Sequence, residues 1–292
     1  MHPPLVLDLD DSVGDLPDAH RLPLQDWQPR LRFGCKTRTL QAFARHLDGI
    51  MPPAYGTVLM GSGDYHHLSW PLIERTLAGR TGVRVVVFDN HPDNMRYLFG
   101  IHCGSWVRRI ALHPAVSHVH VVGITSADIG NGHAWENYLR PLQTGKLTYW
   151  HMGVDTRWAS WLGVAHAFKG FDTPEALIEA LTVHLSAEQA PTYLSIDKDV
   201  FHPDVVRTNW DQGVMREAHV NRVIGLLQGQ LIGSDITGDV STYRHPSLWK
   251  RLLSAGDGQT LAMDEGTLRQ WQKDQNALNE RLVERLARTA VR

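Results

Sequence analysis

Seven short apolar runs, each closing on polar or glycine-rich sequence, set the rhythm of this chain. They are Leu5–Leu9, Thr57–Met60, Val83–Phe88, Val119–Val122, Leu147–Trp150, Tyr193–Ile196 and Leu231–Ile236. Runs this short and this rich in Val, Ile and Leu predict buried strands. Between several of them the apolar spacing becomes helical, over Thr37–Ile50, Trp70–Leu77, Pro174–Leu185 and Arg216–Leu227. DTPEALIEALTVHL (172–185) is the clearest, with Pro174 suited to the first turn and Glu175 to the positive end of the helix. Strands alternating with helices predict right-handed βαβ units and a mostly parallel sheet covered on both faces. No repeat or long linker divides the chain, so residues 1–292 read as one domain. Its last segment, 266–292, reads as a charged amphipathic helix packed on that domain or on a neighbouring subunit.

The polar residues that end these runs repeat a chemistry. In VVVFDNHPDN (85–94), the greasy residues give way to Asp89, His91 and Asp93 at every second position. A pleated strand turns alternate side chains to one face, so the three converge if the extended backbone continues past Phe88. Alone, this triplet also fits a polar turn. Other strands supply more: Thr57–Met60 runs into Asp64, His66 and His67, Tyr193–Ile196 into Asp197 and Asp199, and Leu231–Ile236 into Asp235 and Asp239. Ligands of open α/β sheets bind outside the carboxyl ends of the strands, which is where these residues fall.

Asp89, Asp93, Asp197 and Asp199 in one cleft demand neutralisation. Like charges about 4 Å apart cost about 1 kcal/mol even in water and several times that near protein. Cations or protons must therefore join them. Two divalent ions balance four carboxylates, and one or two histidines complete the coordination. An oxygen-rich set suits Mn²⁺ better than a structural zinc, and two such ions sharing a water make hydroxide available near neutral pH.

The bulk numbers narrow the class. A net charge of −2 gives no electrostatic case for nucleic acid or an anionic membrane. No apolar run approaches the roughly 18 residues that span a bilayer. The N-terminus MHPPLVLDLDDSVGD lacks the basic start of a signal peptide. Two cysteines, Cys35 and Cys103, make no disulfide framework, which fits a reducing cytoplasmic setting.

GSGDYHH, DNHPD and SIDKD occur in the order and approximate spacing of three metal motifs, and the stretch from about Gly61 to Asp239 resembles the arginase (ureohydrolase) family. The resemblance implies a three-layer α/β/α sandwich and a centre of two Mn²⁺ ions. Its ligands would be His66, Asp89, His91, Asp93, Asp197 and Asp199, with His67 the alternative to His66. The implied activity is hydrolysis of a linear C–N bond in a guanidino, amidino or formimino group of a small molecule, by a metal-bridging hydroxide. GIHCGSWVRR resembles the family segment with a catalytic histidine, which makes His102 the proton shuttle and leaves Asp93 the other catalytic candidate. Family members form trimers or hexamers, so a homo-oligomer is expected.

Several positions depart from the family pattern. The first motif is one residue longer than usual, and Lys198 stands where an apolar residue usually separates the two aspartates. Guanidine-cleaving members carry a glutamate where this chain has Gly238, and Asp239 is the candidate substitute. Arg96 is a candidate partner for a substrate carboxylate, and Asn209, in the turn-rich TNWDQGV (208–214), for the pocket rim. Cys103 beside His102 is a weak nucleophile candidate, because adjacency in sequence does not create the geometry. Two further readings stand beside the hydrolase: a deacylase of acylated amines, and a non-catalytic metal-binding relative.

Overall fold

A computed structural model describes residues 2–243 and 264–290. Its sheet contains β1 (Leu5–Asp8), β2 (His20–Pro23), β4 (Val58–Leu59), β5 (Val83–Phe88), β7 (Val116–Ile124), β8 (Leu147–Met152), β9 (Phe168–Phe171), β10 (Thr192–Asp197) and β11 (Leu231–Thr237). The order is β2-β1-β4-β11-β10-β5-β7-β8-β9, and every pairing in it is parallel. After β4 the chain skips two places to β5 and runs outward to β9. It then returns to lay β10 and β11 in the gap. A separate antiparallel pair, β3 (Gly34–Cys35) with β6 (Ile101–His102), lies outside this sheet.

Each face of the sheet has its own core. On β5, Val83, Val85 and Val87 pack on the side of Leu40, Phe43 and Ile73, while Val86 and Phe88 pack with Leu177, Val220 and Leu282. A strand with apolar residues at both parities is buried on both faces, and each such side chain contributes about 1.5–3 kcal/mol. All seven predicted strands form. The four predicted internal helices appear as Thr37–Ile50, Ser69–Leu77, Pro174–Ser186 and Glu217–Leu226.

Two sheet strands were not predicted, both at edges. β2 (HRLP) and β9 (FKGF) are four residues long and largely solvated, so they carry little apolar pattern. The C-terminal helix covers Glu265–Thr289 and packs on the same domain, burying Leu278, Leu282 and Leu286; residues 291 and 292 lie outside the described residues. Among the described residues no helix is long and apolar enough to cross a membrane.

Candidate metal centre

The central strands β4, β5, β10 and β11 all end at one edge, and the predicted residues gather beyond it. His66 lies in the 3₁₀ segment Gly63–Leu68 after β4, with Nδ1 2.8 Å from Asp93 Oδ2, 3.1 Å from Asp89 Oδ2 and 3.5 Å from Asp197 Oδ2. His91 Nδ1 lies 2.9 Å from Asp199 Oδ2 and 3.5 Å from Asp89 Oδ1. The side chains thus form two groups, His66 with Asp89 and Asp93, and His91 with Asp89 and Asp199; Asp89 belongs to both.

The route to this convergence differs from simple alternation. β5 stops at Phe88, and Asp93 has φ +47, in the left-handed region. A turn, not a continued pleat, brings the three residues together. Backbone groups hold the turn: His91 N–H donates to Asp89 Oδ1 (2.6 Å) and Asn90 N–H to Asp199 Oδ1 (3.0 Å). Trp106 Nε1–H donates to Asp93 Oδ2 at 2.5 Å.

Hydrogen bonds behind His66 fix which nitrogen faces the acids. Ser195 Oγ donates to Asp235 Oδ1 (2.6 Å) and stands 3.0 Å from His66 Nε2. With its hydrogen committed to Asp235, Ser195 accepts from Nε2–H. Nδ1 is therefore the lone-pair nitrogen of the neutral ring, and it faces three carboxylates. Lone pairs confronting one another in a buried site require a proton or a cation between them. Burial opposes charge on His66, but Asp93 and Asp89 outweigh it and raise its pKa well above the usual value. Burial and the neighbouring Asp89 likewise push Asp93 and Asp199 each up to about 7. Among the described residues, no lysine or arginine ion-pairs with Asp89, Asp93, Asp197 or Asp199. A crowded oxygen-rich set with two imidazoles, and no lysine or arginine paired with it among the described residues, fits divalent metal ions.

The cluster opens into a cavity of about 620 Å³, whose lining includes Phe33, Arg96, Tyr97, His102, Trp210 and Asp211. A larger cavity, about 890 Å³, opens at the amino end of the sheet beside Tyr55, Thr57 and Leu231, far from this chemistry. His102 ends β6, opposite Gly34 of β3, its ring stacked on Phe33 and edge-on to Tyr97. Burial pushes its pKa down to about 4, so it is neutral at pH 7. Gly104 N–H donates to its Nδ1 (3.0 Å), which leaves the ring proton on Nε2.

Other sequence candidates fall elsewhere. Asp239 is wholly buried against Lys198 and Asn279, and does not line the cavity. Asn209 turns away to accept from Ser241 N–H (2.9 Å); the 208–214 loop meets the cavity through Trp210 and Asp211 instead. Asp64 pairs with Arg32 at 2.6 Å, and His67 is buried outside both groups. Arg96 is exposed at the mouth, and Cys103 is part of the wall. Asp211, 2.8 Å from His91 Nε2, was not foreseen, nor were the supporting roles of Ser195 and Asp235. Spacing gives no signal for them, because their partners are more than a hundred residues away or behind the ligand.

The family model for the arginase family matches residues 8–237. The chain belongs to the arginase family. A curated protein of Thermotoga maritima, described as an uncharacterized protein, is 25% identical over 194 residues, 66% of this chain and 62% of that protein. The chain thus matches less than two thirds of that relative's length. An arginase from Medicago truncatula aligns with a TM-score of 0.54 at 14% identity, covering 98% of this chain and 85% of that one. A proclavaminate amidino hydrolase from Streptomyces clavuligerus gives 0.50 at 18% identity, covering 87% and 70%. A formiminoglutamase from Trypanosoma cruzi with Mn²⁺ gives 0.50 at 13%, covering 86% and 70%. At these identities the structural likeness speaks for the arginase fold, a parallel sheet between two helical layers.

Proposed function

We propose that this member of the arginase family is a binuclear, manganese-dependent hydrolase of a linear C–N bond in a guanidino, amidino or formimino group. One observation carries the reading: His66 presents a lone pair to Asp89, Asp93 and Asp197 in a buried site where, among the described residues, no lysine or arginine ion-pairs with them. His66, Asp89, Asp93 and Asp197 would hold one ion, and His91, Asp89 and Asp199 the other. When bound, the ions would supply hydroxide at neutral pH and stabilise the charge that develops on the atoms around the reacting carbon.

The remaining work falls to side chains. His102 meets the substrate at rest as a donor through Nε2–H. To protonate the leaving amine it first gains a proton, released by the attacking water, at the expense of its bond from Gly104. Asp93, held by Trp106, is the other catalytic candidate, through its place as a ligand. Arg96 at the mouth is suited to an anionic group on the substrate's far end.

Gly238 bears on the substrate head. With φ +92 and room for no Cβ beside Asp197 and Lys198, it cannot carry an acid here, and Asp239 is already paired with Lys198. The head is therefore not gripped by a carboxylate from this segment. That leaves a cationic head to other groups of the cavity, and it supports hydrolysis of an amide, whose head is neutral, as a second reading. The test is a panel of guanidino, amidino, formimino and acylated amines with Mn²⁺-loaded protein and Asp199→Asn beside it. Release of urea, ammonia or formamide by the wild type alone supports the proposal; acyl release alone favours the second reading. Equal turnover by wild type and Asp199→Asn would sink both.

A further inference from the structure

Lys198 separates the two aspartates of SIDKD, yet its side chain runs toward the C-terminal helix. It is fully buried, with Nζ 2.6 Å from Asp239 Oδ1 and 2.8 Å from Asn279 Oδ1. Asn279 Nδ2 donates to the same Asp239 oxygen at 2.9 Å, which closes a triangle. One turn earlier Gln275, equally buried, donates from Nε2 to the carbonyls of Gly238 (3.0 Å) and Arg207 (2.6 Å). Gln272 Nε2 donates to Val240 O at 3.0 Å. Positions 272, 275 and 279 share one helix face. A polar stripe on Glu265–Thr289 thus grips both Lys198 and the segment after β11.

That grip lands on the backbone behind two proposed ligands. Asp197 Oδ1 accepts from Asp199 N–H (3.1 Å) and caps the 3₁₀ turn Lys198–Val200. Gly238 abuts the same place, where an added Cβ would lie 2.5 Å from Asp197 Oδ1 and 2.7 Å from Lys198 N. Adhesion of the helix does not require this arrangement, since Leu278, Leu282 and Leu286 already anchor it in the core. Buried ion pairs are often replaceable by apolar residues without loss of stability. What the triangle adds is direction: it fixes how the turn bearing Asp197 and Asp199 faces the cavity.

We propose that Gln275 and Asn279 are positioning residues, through which the C-terminal helix sets the placement of Asp197 and Asp199 and so the affinity of the centre for divalent cations. The inference rests on the metal-dependent reading above. Its test is calorimetric Mn²⁺ titration of the full chain, with thermal unfolding in metal-free buffer, for wild type, Asn279→Leu, Gln275→Met and Leu282→Ala. Loss of partners behind a ligand typically weakens metal binding about ten- to hundredfold. That loss is expected in the two polar variants, with metal-free midpoints no lower than that of Leu282→Ala, which keeps wild-type affinity. If one polar variant does not fold, the other carries the comparison. Wild-type affinity in the folded polar variants, or an equal loss in Leu282→Ala, overturns the inference and leaves the hydrolase reading standing. A wild type that takes up no divalent ion overturns both.

Discussion

Ser195 Oγ stands 3.0 Å from His66 Nε2 and passes the contact on to Asp235, so the imidazole is held with its other nitrogen toward the acids. Ser69 reinforces Asp235 at 3.1 Å and Tyr193 at 2.8 Å. Ser195→Ala removes the link without adding bulk. It is expected to weaken Mn²⁺ binding about tenfold or more while the far-ultraviolet circular dichroism stays unchanged. An unaltered dissociation constant would show that the relay does not orient His66.

Gly238 offers a test by addition. Alanine there meets both the strain of φ +92 and the clash with Asp197 Oδ1. The variant is expected to lose about 1–3 kcal/mol of stability and to bind metal more weakly, read by thermal unfolding and titration. A stable Gly238→Ala with full metal affinity would mean that the backbone relaxes there without disturbing Asp197.

His102 lines the cavity but belongs to neither ligand group. His102→Asn is therefore expected to keep its metal content while turnover on the best substrate falls about 10²- to 10⁴-fold, the usual worth of a positioned acid–base group. Loss of metal together with activity would reassign the residue to the centre's architecture.

Away from the site, three histidines predict acid lability. The rings of His118 and His120 lie 4.4 Å apart, and those of His120 and His184 5.1 Å apart. Burial, with His184 nearby, pushes His118 down to about 4; burial and the other two rings hold His120 well below its usual range. Unfolded, such groups titrate near 6.5. Between about 6.5 and 4 the unfolded chain thus binds more protons, and stability falls as pH falls. The unfolding midpoint should drop across this window, with a shallower slope in His120→Phe; identical slopes would rule the cluster out as a cause.

How much of this was legible in the sequence depended on whether the signal was local. Val83–Phe88 and Thr37–Ile50 carry their own patterns, so strand and helix could be read directly, and with them the edge where the acids and histidines collect. β2 and β9 could not, because four solvated residues at a sheet edge leave no periodicity. The motif residues His66, Asp89, His91, Asp93, Asp197 and Asp199 were legible as a set, although the turn at Asp93 that assembles them was not. Asp239 shows the limit most clearly. It ends a strand as a ligand would, but Lys198 and Asn279, the latter 40 residues further on, claim it. Only the folded chain reveals which of two acids four residues apart, Asp235 or Asp239, supports His66.

The central claim is that the converging acids and imidazoles bind metal. Elemental mass spectrometry of protein purified without chelator and dialysed against Mn²⁺ tests it most directly, with Asp197→Asn and Asp199→Asn alongside. Two metal equivalents are expected in the wild type and fewer in both variants. One zinc equivalent would shift the reading to amide hydrolysis. A folded wild type with no metal would contradict the account, leaving the buried acids to protons alone.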